Sequence, residues 1–453
     1  MRSTTNTLTM ALALFAFAVA ATLPSTASAA KFVIKVVMVE DQDEDPTAAG
    51  KAAAKALKAA MGDTALKAVI MSECFEDREY KEELLAGVCA ELPEELVFGA
   101  ATYGSFTQQG CTDFDAVCLM GIGGPGVQVS ARLVKEMGTA KLTFEEDQDL
   151  IRERLHAAGE QLASKLKRRD NERLLILLAD AHSPKVQYLV EGVQKVVGND
   201  FPITGGCANK NAGQTFVYSR GQIHEDAAIA LMLAGDFNVA LSGRQANEEQ
   251  AVIDTAAAGA KEALAQRDAK PVAVLSFNCA GRRSKLGQYE DELTAMQEVL
   301  GKSTTLFGCY CAGEIGPVDD PEFPQDILCG GSGWHVMFTT ITPTTRPAPT
   351  NRASVQGTVL VDGEPAQGAI VTLLNPSSKE AVAKGTTDAT GKYTLTTMAG
   401  RPKIPAGEYL VTISKATNGN ELLPVIYSNI DKTELTITVA AGANRFDFDL
   451  ALR

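Results

Sequence analysis

The chain alternates short, continuous apolar runs with amphipathic stretches of helical period, and this order recurs. Lys31 to Val39 (KFVIKVVMV) reads as a strand and Ala48 to Ala60 as a small-residue helix. A strand from Leu66 to Met71, a polar loop from Ser72 to Glu76 and a helix with Leu84, Leu85, Val88 and Leu92 on one face come next. They lead into a glycine turn, VFGAATYGSF at Val97 to Phe106, and a strand from Ala116 to Gly121. The second pass has a helix bearing Ile151, Leu155, Ala158, Leu162 and Leu166, then a strand from Leu174 to Leu178. A helix bearing Val186, Leu189, Val190, Val193 and Val197 and the turn ITGGCANK at Ile203 to Lys210 complete it. The third has a helix with Val252, Ile253, Ala256, Ala260 and Leu264, and a strand from Val272 to Phe277. A helix with Leu293, Met296, Val299 and Leu300 and the turn LFGCYCAGEIGP at Leu306 to Pro317 follow.

Gly99, Gly205 and Gly308 stand 106 and 103 residues apart, so the pattern predicts a repeated α/β unit. Continuous apolar strands such as RLLILLAD call for helix-covered sheets. The composition changes at Thr339, where TTITPTTRPAPTN reads as a Thr/Pro linker, placed at 343–351. Beyond it VQGTVLV, GAIVTLL, YTLTT, EYLVTI, LTITV and FDFDLAL alternate with period two. Residues 352–453 are therefore expected to form a small all-β antiparallel sandwich. The predicted fold class is repeated α/β units followed by that sandwich.

Composition adds limits. With 453 residues, 45% hydrophobic and 22% charged, the chain has room for two or three folded domains. A formal charge of −14 argues against nucleic acid and anionic membrane surfaces as partners. Arg2, the apolar run from Met10 to Ala21 and Ala27-Ser28-Ala29 make residues 1–29 a signal peptide, so export to the periplasm, cell envelope or exterior is expected. No later stretch is apolar enough for a membrane span. The nine cysteines are an odd number in a compartment that permits disulfides, so at least one thiol is left over in a monomer.

Candidate chemistry gathers at the glycine turns. Cys279 and Arg282 follow a predicted buried strand, where open α/β sheets present side chains to ligands. Arg282 suits a ligand carboxylate held in a bidentate pair, or an ion pair to Glu314 or to a helix acid. Glu314, between Gly313 and Gly316, could receive a ligand ammonium or brace its own turn. Tyr310, Thr102 and Asn209 offer neutral hydrogen bonds or turn scaffolding, and Gly205 and Gly308 allow close backbone approach. A cysteine-dependent hydrolase using Cys279 is an alternative, since Arg282 and Arg283 would favour its thiolate. His156, His182, His224 and His335 match no catalytic spacing. Cys309 and Cys311 lack the second paired cluster of a zinc site, so no metal is expected; a disulfide from one of them to Cys329 or Cys279 is open. GIGGPG at Gly121 to Gly126 lacks the Lys-Ser/Thr of a phosphate loop and reads as a turn between units, leaving no cofactor expected. The acidic run EDQDED reads as a solvated helix entry, with calcium the lesser alternative.

Two resemblances rest on these stretches. FNCAGR at Phe277 to Arg282 and GCYCAGEIGP at Gly308 to Pro317, with GGCANK and the GAATYG turn, are similar to FIST N and FIST C domains. That implies a sensory module binding a small ligand, with amino acids suggested, over residues 30–342, divided at about 243/244. Only about 28 residues separate Gly243 from Pro271, so the C-terminal part looks shortened. VQGTVLVDGEPAQGAIVTLLN, TTDATGKYTLTTMAGR and PAGEYLVTI resemble carboxypeptidase regulatory-like, transthyretin-like domains, which implies an appendage that attaches to an envelope component. An envelope structural protein with a degenerate site is the third functional alternative.

Overall fold

The computed structural model describes residues 32–452 apart from 113, 170, 210–214, 267–268, 319–329, 344–351, 377–378, 399–403, 418–419 and 441. The expected signal peptide thus lies outside the described residues, as does the expected linker apart from Pro343, which ends a strand.

The first unit runs β1 (Val33–Glu40), α1 (Pro46–Met61), β2 (Leu66–Glu73), α2 (Arg78–Cys89), β3 (Val97–Ala101), β4 (Ser105–Thr107), β5 (Gly110–Cys111) and β6 (Ala116–Gly123). The second runs β7 (Val127–Val134), α3 (Phe144–Ser164), β8 (Glu172–Ala179), α4 (Val186–Val197), β9 (Ile203–Cys207), β10 (Val217–Ser219), β11 (Gln222–His224) and β12 (Ala228–Gly235). The third runs β13 (Phe237–Gln245), α5 (Glu249–Ala265), β14 (Ala273–Cys279), the single turn α6 (Ala280–Arg283), α7 (Glu290–Leu300), β15 (Leu306–Cys311), β16 (Glu314–Gly316), β17 (Gly330–Ser332) and β18 (His335–Pro343). The repeat read from the glycine spacing is therefore present, and each unit holds more strands than the apolar runs announce, among them one short hairpin.

Each unit gives that hairpin to another. The sheets are ordered β1-β6-β2-β3-β10-β11, β7-β12-β8-β9-β16-β17 and β13-β18-β14-β15-β4-β5. The second unit's hairpin closes the first sheet, the third's closes the second, and the first's closes the third. Only the β2–β3, β8–β9 and β14–β15 pairs in these three sheets are parallel, as a helical crossover requires.

Each central strand is apolar on both faces because both are covered. Ile70, Ile176 and Leu275 point into one core shared by the three sheets. Val69, Leu175 and Val274 point outward beneath their own helices. The α4 face of Val186, Leu189, Val190, Val193 and Val197 is buried as its spacing predicts, each side chain contributing about 1.5–3 kcal/mol. Asp45 caps α1, its Oδ1 accepting from the Ala48 N–H at 2.8 Å with Pro46 at the first helical position, so the acidic run is a helix entry.

Two sequence boundaries move. Thr339 to Thr342 belong to β18 and pair with β13, so the composition change at Thr339 precedes the end of the domain. Gly121 to Gly123 of GIGGPG continue β6, leaving the turn to Gly124, Pro125 and Gly126.

The C-terminal region is β-rich, with two main sheets around Val355, Val359, Val371, Leu373, Val411 and Ile413. It departs from a purely antiparallel sandwich because Arg352–Val361 pairs in parallel with Gly442–Arg445 and Phe448–Leu450. The Asp388 turn forms as its sequence suggests. Asp388 Oδ1 accepts from the Thr390 and Lys392 N–H groups at 2.8 and 3.0 Å, and Gly391 takes φ +75°.

Candidate functional site

The three glycine turns leave β3, β9 and β15 at the same end of their sheets and bond to one another in a ring. The Asn209 N–H of the second turn donates to the Ala101 carbonyl of the first at 2.9 Å. Tyr103 of the first and Tyr310 of the third are joined by the Tyr103 N–H to the Tyr310 carbonyl at 2.8 Å. The Cys207 N–H of the second donates to Gly313 of the third at 2.8 Å, closing the ring.

Glycine is required at these turns by packing. Gly308 lies opposite Phe106 of the incoming hairpin, and a Cβ there would sit 2.0 Å from the ring. Gly205, at φ +145°, would place a Cβ 1.9 Å from the Leu177 carbonyl oxygen. Gly205 and Gly308 thus hold the architecture directly, whatever else they do.

Arg282 is fully buried in α6 and meets a helix acid. Its Nη2 and Nε donate to Glu292 Oε1 at 2.7 and 3.0 Å, and Nη2 also donates to the Val252 carbonyl at 2.7 Å. Glu292 Oε2 accepts from the Tyr310 hydroxyl at 3.3 Å. Of the alternatives open for Arg282, the ion pair to a helix acid is the one that forms, and Tyr310 belongs to the same buried network. The neighbouring Arg283 guanidinium lies 4.2–5.4 Å from the ring centres of Tyr103, Tyr289 and Tyr310 and donates to the Tyr103 carbonyl. It ties the first turn to the third.

Thr102 is buried in a hydroxyl cluster, 2.9 Å from Ser72 Oγ, which in turn is 2.7 Å from Ser105 Oγ. Beside it stands a second buried charge cluster that the sequence did not announce. Lys81 Nζ donates to both Glu73 oxygens at 3.0 Å, and Tyr218 of the incoming hairpin donates to Glu73 Oε1 at 2.5 Å. Lys81 looks like one more charge on a polar helix segment. Its burial becomes evident only once Glu73, at the end of an apolar strand, is placed above it.

Glu314 and Cys279 are the pair whose polar capacity is left over. Glu314, fully buried, accepts from the His335 N–H at 3.2 Å through Oε2, while Oε1 has no hydrogen-bond partner of ordinary geometry among the described residues. Burial holds this carboxyl well above its usual range, against the His335 N–H, the Arg282 charge, the Cys279 thiol and the Gly313 N–H, all of which lower it. The partly exposed Cys279 thiol is pushed up to about 12, first by burial and then by the Glu314 charge. The backbone amides of Trp334, Gly281 and Arg282 oppose this without overcoming it. The expectation that Arg282 and Arg283 favour a Cys279 thiolate is thus corrected. One guanidinium is engaged by Glu292 and the other by carbonyl and rings, so burial dominates.

Trp334 flanks this pair, with its indole against Gly281 and Lys285 Nζ 5.6 Å from its ring centre. Cys279, Cys309 and Cys311 are free thiols, so the disulfide left open for them does not form among the described residues, and Cys329 lies outside those residues. Cys309 and Cys311 Sγ are 3.7 Å apart, as neighbours on one strand face. Among the described residues no group of three or more His, Cys, Asp or Glu is placed to hold a metal.

The arrangement offers a buried hydrogen-bond acceptor, a neutral thiol beside it and an aromatic side chain at the rim. It suits non-covalent capture of a donor better than nucleophilic attack.

No curated protein matches the chain. Among solved structures, it is similar to a cyanuric acid hydrolase described as an evolutionary innovation by structural concatenation, with 11% identity, 69% of this chain and 99% of that chain covered, and a TM-score of 0.38. It is similar too to cyanuric acid hydrolase from A. caulinodans, with 11% identity, 70% and 100% coverage and a TM-score of 0.36. A DUF3823 family protein from Parabacteroides merdae ATCC 43184 matches 22% of this chain and 45% of its own at 14% identity and a TM-score of 0.15. Family models match the three-unit region itself: residues 67–259 to the FIST N domain and residues 220–317 to the FIST C domain.

Proposed function

We propose that the three-unit region binds a small polar metabolite carrying an ammonium group, an amino acid being the simplest, at the third glycine turn. FIST domains are generally sensory, small-ligand-binding domains. The observation that carries the reading here is Glu314 Oε1, a buried carboxyl oxygen without an ordinary hydrogen-bond partner among the described residues. Such an oxygen costs free energy when empty and repays a bound donor. An ammonium would also draw the Glu314 proton off, converting a neutral carboxyl into a charge-assisted acceptor. Arg282 is occupied by Glu292, so a ligand carboxylate would be met by backbone amides or neutral groups such as Asn209.

The rest of the proposal concerns the chain around the site. Residues 1–29 fit an export signal, placing the protein in the periplasm, envelope or exterior. The β-rich C-terminal region fits a carboxypeptidase regulatory-like appendage that attaches the binding domain to an envelope component.

The test uses Trp334, the single tryptophan of the chain, together with melting temperature. Titration with amino acids should shift the fluorescence and raise the melting point by mass action. Glu314→Gln should weaken binding by about tenfold or more, the equivalent of one charge-assisted hydrogen bond. A flat response of the unsubstituted protein at millimolar amino acid would sink the reading.

A further inference from the structure

We infer that a second ligand site lies at the seam between the first and second units and takes a small anion bearing phosphate or carboxylate groups. A cleft of about 480 Å³ opens there, between β7 on one side and β3 with the β10–β11 hairpin on the other. Three cations line it, Arg132, Lys135 and Arg220, against one carboxylate, Glu94, with Phe98 and His224 also on its wall.

The grouping runs against the overall charge of the chain. The chain carries 56 acidic against 42 basic residues, and several exposed cations elsewhere sit against a carboxylate. Lys58 with Glu91, Arg78 with Glu82 and Lys195 with Glu160 are examples, at 2.8–3.0 Å. Arg132, Lys135 and Arg220 make no ion pair among the described residues, although Glu94 shares the cleft. Three like charges held together without partners repel one another, and an anion between them removes that repulsion.

The hairpin that supplies Arg220 points the same way. Arg220 and Gly221 form its two-residue turn with φ +54° and +68°, a conformation that asparagine or aspartate followed by glycine adopts most readily. Arginine at the first of these positions carries a backbone penalty that asparagine would lessen. The side chain it gains is a guanidinium at the rim of the cleft, capable of bidentate contact with phosphate or carboxylate.

His224 is buried on the wall, and its Nε2–H donates to the Ser219 carbonyl at 3.3 Å, so Nδ1 donates to an anion once the ring is protonated. Burial and the nearby Lys135 hold its pKa down. A bound anion would reverse the second influence.

The experiment is isothermal titration of the full chain with sodium phosphate and, separately, sodium citrate, each against sodium chloride at equal ionic strength. One or both anions should give a saturable isotherm that chloride does not. An Arg132→Gln, Arg220→Gln double variant should bind at least about tenfold more weakly, since two charge-assisted contacts are lost. Both side chains are exposed, so its circular dichroism and melting point should match the unsubstituted protein. Glu314→Gln should bind phosphate or citrate unchanged, which separates this site from the one at the third turn. Phosphate and citrate binding no better than chloride, or equal binding by the double variant, overturns the inference.

Discussion

Replacing Glu292 by alanine tests whether Arg282 is a structural or a ligand-binding cation. Both side chains are fully excluded from solvent, and two hydrogen bonds of 2.7 and 3.0 Å join them. Removing the carboxylate leaves a guanidinium that cannot shed its charge inside the protein. Breaking one partner of a buried pair costs about 3–5 kcal/mol. Arg282 keeps its bonds to the Val252 carbonyl and to Thr255 Oγ1 at 2.7 and 3.1 Å, which places the expected loss near the lower end, at about 3 kcal/mol. Urea denaturation followed by circular dichroism reads it as a lowered midpoint. The exposed Lys195–Glu160 pair at 2.9 Å is the control; Glu160→Ala should cost less than about 1 kcal/mol. Arg282→Met with Glu292→Leu removes both charges and refills the space, so it should recover most of the loss. If Glu292→Ala lies within about 1 kcal/mol of the unsubstituted protein, Arg282 is not held by this pair and the reasoning fails.

Two further outcomes follow from the third turn. Because burial raises the Glu314 pKa in the folded state, its contribution to stability is fully present below the unfolded value and is lost as pH rises through the folded one. Glu314→Gln should therefore gain in urea midpoint relative to the unsubstituted protein between pH 4 and pH 8; a constant difference would contradict the burial of this group. For Cys279, a pKa of about 12 means that iodoacetamide labelling, followed by mass spectrometry, should be slow at pH 7 and still accelerate above pH 9. Fast labelling at neutral pH would restore the nucleophile reading.

What the sequence made legible is what repeats along the chain. Strands such as Leu174 to Leu178 and helix faces such as Val186 to Val197 carry their period locally, so their burial could be read before any topology was known. The short hairpins carry no such period. Val217–Ser219 and Ser105–Thr107 are three residues each, too brief for alternation to register, and their partners are strands of another unit. Their exchange decides the site. Tyr218 reaches Glu73 only because the second unit's hairpin joins the first sheet. Glu314 lies beside Gly206 only because the third unit's hairpin joins the second.

For the same reason, the motif FNCAGR could place Cys279 and Arg282 at a strand end but could not say which acid each would meet. Glu314 and a helix acid were both open, and the acid that Arg282 pairs with is Glu292 on the following helix. Once Arg282 is taken by Glu292, Glu314 is left with one oxygen bonded and one open. The open oxygen is thus a consequence of which of the two acids left open by the sequence Arg282 meets.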